Sequence, residues 1–321
     1  MIVVWRVTTR CNLSCAFCAY DKRVPGARRE VDAASVAAFA PVLADYSKQT
    51  GDPVLVSWIG GEPMLWKPVF DMSRLMASHA GIRVSATTNG STLHLPQVRR
   101  QIIDCFAELT VSVDGFAEFH NQVRGWPHGW QRLKLAVMAL AAERDEGLVL
   151  RANVVVMHDN IDDFARLCGE LADWGFDEIT FNQLGGRDRP EFFPDHRLGP
   201  DSARRFAALV PLLQQQLAAR GVRVCANSQY LERIEASASG RALPVPDCGP
   251  GQRFLFIDEA NLVAPCHFTG DSLAVPLAKL ISADDLLGLH GRFAASRARA
   301  LPAACRDCPS TQVFAKFVNG P

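Results

Sequence analysis

Along the first two-thirds of the chain, short apolar runs alternate with stretches in which apolar residues recur every third or fourth position. The runs at 2–7, 54–59, 83–87, 109–113, 148–156 and 178–182 have the length and β-branched content of strands. The periodic stretches at 33–47, 68–80, 95–105, 129–146, 161–174 and 202–220 predict helices, several with Asp, Ser or Pro near their starts. Six strand-then-helix units imply a parallel sheet, because parallel neighbours need a long crossover connection and a helix supplies it.

Such a sheet gathers its ligand-bearing loops at the carboxyl ends of the strands. The loops expected there carry the unusual residues of this chain. Three cysteines (Cys11, Cys15, Cys18) follow the first strand, "GGEP" (60–63) the second, "TNG" (88–90) the third, "DG" (114–115) the fourth and "NQLGGRDRPEF" (182–192) the sixth. Near 244–250 the pattern gives way to Pro/Gly-rich "PVPDCGPG", which suits a boundary. Beyond it, "RFLFIDEANLVAPC" predicts two short strands with a turn at 259–261, followed by a helix near 284–299 and then "CRDC". The expected division is a main domain over 1–222 and a linker with a smaller unit over 223–321.

Composition narrows the function. The 321 residues are 48% hydrophobic and 21% charged, an ordinary globular balance. Lys plus Arg (34) equals Asp plus Glu (34), so no net field favours nucleic acid. No segment approaches the ~20 apolar residues of a membrane span. "MIVVWRV" reads as a buried strand, lacking the basic start and cleavage site of a signal peptide. A cytoplasmic, reducing compartment is therefore expected, where ten clustered cysteines serve metal or redox chemistry more often than disulfides.

Cys11, Cys15 and Cys18 form C-x3-C-x2-C, tight enough for three thiolates to converge on one inorganic centre with one coordination position open. With Phe17 before the third cysteine, the motif resembles the signature of the radical S-adenosylmethionine (SAM) superfamily. That resemblance implies a partial (β/α)6 barrel. It also implies a 4Fe-4S cluster on the three cysteines whose fourth iron is chelated by the amino and carboxylate groups of SAM. The implied SAM contacts are Gly60, Gly61, Glu62, Thr88, Asn89, Ser112, Asp114 and Asn153, with Phe17 and Tyr20 covering the cluster and adenine. Arg10 and Asn12 flank the first ligand and would tune it.

Cys248, Cys266, Cys305 and Cys308 supply four more thiolates. Their spacing resembles the twitch domain, the shortened relative of SPASM, and is similar to that of 2-deoxy-scyllo-inosamine dehydrogenase. The resemblance implies one auxiliary 4Fe-4S cluster with no open iron, hence an electron-transfer role. A four-cysteine zinc site is the alternative that the spacing leaves open. Cys105, Cys168 and Cys225 read as small buried hydrophobes, and His267 as a neighbour of Cys266 rather than a ligand.

The implied activity is SAM cleavage to a 5′-deoxyadenosyl radical, removal of a substrate hydrogen atom, and oxidation of the substrate radical through the auxiliary cluster. Asn182, Gln183 and Arg187, with Arg124 and Trp126, are the expected substrate contacts. An external one-electron reductant such as flavodoxin or ferredoxin is the expected partner. The first substrate reading is a small natural-product metabolite, favoured because the first strand begins at residue 2 and leaves no space for a peptide-recognition domain. The alternative is a maturase that cross-links or epimerises a ribosomally made peptide; an epimerase needs a thiol hydrogen donor, for which Cys225 is the candidate. A non-catalytic metal-binding protein ranks third.

Overall fold

In the computed structural model, which describes residues 1–314, ten strands form a single sheet in the order β10-β9-β8-β1-β2-β3-β4-β5-β6-β7. The strands are β1 (Ile2–Thr8), β2 (Val54–Gly60), β3 (Ile82–Thr88), β4 (Glu108–Ser112), β5 (Val149–Val156), β6 (Glu178–Gln183), β7 (Arg223–Cys225), β8 (Phe254–Ile257), β9 (Leu262–Ala264) and β10 (Val275–Pro276). β1 to β7 run parallel, each beside its sequence neighbour. All six expected strands and their crossover helices are present, and the sheet curls into a partial barrel.

Side chains alternate between two environments, as the period of two requires. Val3, Trp5 and Val7 of β1 and Val54, Val56 and Trp58 of β2 are fully buried, in the core between sheet and helices. Ile2 and Val4, with Leu55, Ser57 and Ile59, instead line the interior of the barrel. The first crossover helix, Ala33–Thr50, shows how the outer layer is fixed. Asp32 caps its start by accepting from the Ala34 N–H (3.3 Å), and Gly51 ends it at φ +74°, donating to the Ser47 carbonyl (2.9 Å). Its Phe39 meets Trp5 edge-on at 5.9 Å, and burial of one such ring contributes about 1.5–3 kcal/mol.

Sequence periodicity missed the helices Ala117–Val123 and Ser228–Ala238 and the three-residue β7, elements too short or too polar to register a pattern. The predicted helix near 284–299 is divided into Ala283–Leu287 and Leu289–Arg299. The C-terminal hairpin β8–β9 turns at Asn261, which adopts φ +60°. Ile2–Trp5 of β1 pair in parallel with Phe254–Ile257 of β8, so β8 and β9 continue the barrel sheet. The end of the chain, 315–321, lies outside the described residues. Among the described residues, no helix is long and apolar enough to cross a membrane.

Candidate active site

The three-cysteine loop leaves β1 at Thr8 and is tied down from two sides. On one, the Gly61 N–H donates to the Thr8 carbonyl and the Glu62 N–H to that of Arg10, both at 2.8 Å. Both glycines are required there. A Cβ would lie 2.2 Å from the Thr8 oxygen at Gly60 and 2.1 Å from the Arg10 oxygen at Gly61. On the other side, the Ser14 and Ala16 N–H groups donate to the carbonyls of Arg124 (3.2 Å) and Val123 (2.9 Å). Gly125, at φ +57°, lies so close to Ser14 that a Cβ would meet it at 2.8 Å. The Arg28 guanidinium gathers the rest of the loop, donating to the carbonyls of Thr9, Asp21 and Val24 at 3.2, 2.7 and 2.9 Å.

Burial pushes the Cys15 thiol up to about 12 and raises Cys11 and Cys18 as well, and charge on Cys11 or Cys18 adds to the rise at Cys15. The Cys11 sulfur accepts from the Asn89 carboxamide at 3.7 Å, and that of Cys18 from the Tyr20 N–H at 3.4 Å. Three mutually repelling thiolates in an apolar site call for a cationic centre in place of their protons. The donor set thus fits an iron–sulfur cluster. Among the described residues, no three His, Cys, Asp or Glu side chains close on a single metal ion.

Beneath the loop lies a buried polar layer. Glu62 is fully buried, accepting from the Thr88 hydroxyl (2.7 Å), the Asn89 N–H (2.6 Å) and the Met64 N–H (3.1 Å). Burial outweighs these donors and moves its carboxyl up to about 6. Asn89 then reaches both Cys11 and the Asn12 carboxamide oxygen (2.9 Å). Asp114 is also fully buried and accepts from Arg124 Nε at 2.7 Å and the Val155 N–H at 2.9 Å. Asn160 donates to the Asp114 carbonyl at 2.6 Å. His120 accepts from the Asp114 N–H (3.3 Å), and burial, with Arg124 beside it, pushes it down to about 3.

Of the residues expected at the site, Arg124 has its guanidinium buried on Asp114, 5.6 Å from the Phe17 ring. The Asp114 and Glu62 carboxylates each accept from two or more donors. Phe17 joins a small apolar group with Val123, Met157 and Leu184. Ser112 ends β4 in register with Asn153 of β5.

The barrel encloses a cavity of about 940 Å³. Asn153, Asn182, Gln183 and Arg187 all line it, and the Asn182 carboxamide donates to that of Asn153 at 3.0 Å. At its amino-terminal end Arg151 joins Glu178 (Nε–O 2.6 Å) and Glu108 (3.1 Å). Cys225 lies beside this group, its sulfur 3.9 Å from Glu178. The other wall comes from the C-terminal segment, where Cys266, His267 and Phe268 line the same cavity. Arg187 lies over the Phe268 ring at 4.9 Å and meets His267. Burial and Arg187 push His267 down to about 4.

Sequence reasoning gave no sign of the tie between the two units. Arg6 of β1 donates to Glu259 of the hairpin at 2.5 Å and to the Tyr20 hydroxyl at 2.9 Å, joining residues 253 apart in the chain. The second cysteine set is looser. Cys248 is exposed, while Cys266, Cys305 and Cys308 are half-buried. Burial moves Cys308 up to about 11 and also raises Cys248, and charge on the neighbouring cysteines of the set adds to both. Arg297 holds the 245–246 carbonyls at 2.5 and 2.6 Å, and Asp307 accepts from the Leu243 N–H at 3.0 Å and pairs with Arg233.

A parallel partial barrel with a three-thiol loop at the carboxyl end of its first strand is the frame of one enzyme class. The sequence profile of the radical SAM superfamily matches residues 5–171, more than half of the chain, and the chain belongs to that superfamily. Its members bind SAM and a 4Fe-4S cluster, and relatives with twitch or SPASM extensions carry auxiliary clusters.

Among curated relatives, the AdoMet-dependent heme synthase of Methanosarcina barkeri is 25% identical over 83% of this chain and 76% of its own. The mycofactocin maturase MftC of Mycobacterium ulcerans is 27% identical over 83% and 68%. Among solved structures, Streptococcus suis SuiB bound to S-adenosylmethionine superposes with a TM-score of 0.69 at 13% identity, over 96% of this chain and 72% of that one. SuiB bound to its precursor peptide SuiA gives 0.68 at 14%, over 98% and 70%.

Proposed function

We propose that this radical SAM enzyme oxidises a side chain of a peptide substrate, with Cys11, Cys15 and Cys18 holding the SAM-binding cluster and Cys248, Cys266, Cys305 and Cys308 an auxiliary one. Bound at the first site, cluster and SAM supply the radical that removes a substrate hydrogen atom. Around that site the chain's own groups position and tune. Gly60 and Gly61 let the second loop close on the first, Glu62 holds Thr88 and Asn89 so that Asn89 reaches the Cys11 sulfur, and the buried Arg124 favours thiolate at Cys15 and Cys18. Asn153 and Asn182, joined by a hydrogen bond on the cavity wall, would orient a substrate, and Arg187 offers a charge at the rim.

The observation that carries the oxidation is that Cys266 borders the same cavity as Asn153 and Asn182. An electron leaving a substrate there meets the second cysteine set directly, while a base takes the proton. The peptide reading draws on the likeness to MftC and SuiB, and on a cavity near the upper end of the roughly 300–1,000 Å³ of small-ligand pockets. The second reading, oxidation of a small metabolite, draws on the likeness to heme synthase.

The test is anaerobic reconstitution followed by incubation with SAM, a reductant and candidate precursor peptides. A peptide that raises 5′-deoxyadenosine output and loses two hydrogens in mass supports the first reading. Deoxyadenosine formation stimulated only by small metabolites overturns it in favour of the second. Cys266→Ala should still cleave SAM but release substrate without that mass loss.

A further inference from the structure

A second cavity, of about 530 Å³, opens on the outer side of the cysteine loop and shares no lining residue with the barrel cavity. Asn12, Lys22, Ser91, His94, Trp126 and Arg132 line it. Asn12, next to Cys11, is exposed here, so this is a place where the backbone of the first cluster loop reaches the surface. It is braced rather than loose: Asn12 donates to the Ser91 hydroxyl at 2.8 Å and accepts from Asn89, which also touches the Cys11 sulfur.

The cleft is positive. Lys22 and Arg132 are exposed, and among the described residues neither has a carboxylate within ion-pair distance. The nearby acid, Asp21, is buried and already taken up by Arg23 and Arg189. One helical turn from Arg132, Leu135 is 60% exposed, so an apolar side chain stands beside the cations. Unpaired cations around an apolar and aromatic patch suit a protein of opposite charge, since complementary charge speeds encounter and a small apolar centre holds the complex.

We infer that this cleft docks an acidic one-electron carrier protein, which delivers its electron to the first cluster through the Asn12 edge of the loop. The inference rests on the cluster assignment above. In the proposed arrangement substrate and SAM lie on the barrel side, so a carrier on the outer face reaches the loop without competing for that space. The exchange is simple: the carrier is oxidised by one electron, the cluster is reduced by one, and no bond forms or breaks.

The experiment uses the reconstituted full chain, fluorescently labelled flavodoxin, and two double variants of equal charge change, Lys22→Glu/Arg132→Glu and Arg204→Glu/Arg205→Glu, the second pair lying on the remote helix Pro200–Ala218. Iron content is measured first and should match the parent in both. Flavodoxin should bind the parent with an affinity that falls as salt rises, and bind the first variant about tenfold or more weakly at low salt. The second variant should bind as the parent does. The rate of cluster reduction by flavodoxin hydroquinone should fall in step with binding. Equal affinities for the parent and the first variant, equal losses in both variants, or no binding to the parent would overturn the inference. A chain that binds no iron would instead overturn the cluster assignment.

Discussion

The two cysteine groups differ in how the chain holds them. Cys11, Cys15 and Cys18 sit on one short loop, strapped by backbone bonds to two neighbouring loops and underlaid by buried Glu62, Asp114 and Arg124. Cys248, Cys266, Cys305 and Cys308 come from three separated stretches of chain, one of them exposed, held by Arg297, Asp307 and a few carbonyls. The first site is built by the fold before any cluster arrives. The second is a gathering of strands and loops that a cluster would lock together. A site proposed to leave one iron open for SAM has no fourth thiolate for rigidity; here the strapped loop and the buried layer beneath it supply that.

The largest effect should come from emptying either site. The triple variant Cys11→Ala/Cys15→Ala/Cys18→Ala should retain about four of about eight iron atoms and lose SAM cleavage altogether. Replacing the other four cysteines should leave the same iron count but preserve SAM cleavage. Iron and sulfide assays beside deoxyadenosine measurement check both, and identical phenotypes would erase the proposed division of labour.

Next in size is the buried pair under the first site. Asp114→Ala leaves the Arg124 charge without its partner, and apo-protein stability should fall by about 3–5 kcal/mol in denaturant unfolding. Smaller still is Gly61→Ala, which pushes a methyl group into the Arg10 carbonyl and should cost about 1–3 kcal/mol. Its sharper signature is selective: lower iron loading at the first site with the second intact. The mildest change, Arg297→Ala in the second region, removes two hydrogen bonds to carbonyls and should cost about 1–2 kcal/mol. Limited proteolysis should then cut near 244–250 in the apo form, and reconstitution should restore resistance. A cut at the cysteine loop instead would reverse the comparison.

Much of this frame was legible in the sequence, because strand and helix periods report burial directly. The six strands fall within a residue or two of their expected bounds, and the cysteine spacings single out the residues proposed to hold clusters. What the sequence hid were contacts set by tertiary folding. Nothing in the spacing of Asp114 and Arg124 shows that the intervening helix Ala117–Val123 brings the two side chains into a buried pair. Arg6, Tyr20 and Glu259 carry no shared period, yet they meet. "PVPDCGPG" reads as a boundary, but sequence cannot show that β8 beyond it returns to pair with β1. That glycines 60 and 61 also let the cysteine loop approach closely could not be read from the motif.

The central claim is that the first cluster keeps an iron open for SAM and the second does not. Electron paramagnetic resonance of the reduced, reconstituted protein, with and without SAM, tests this most directly when the parent is compared with the Cys11/Cys15/Cys18→Ala variant. The account predicts that SAM alters the parent's cluster signal and leaves the signal remaining in the variant unchanged. A SAM-dependent change in the triple variant, or none in the parent, would contradict it.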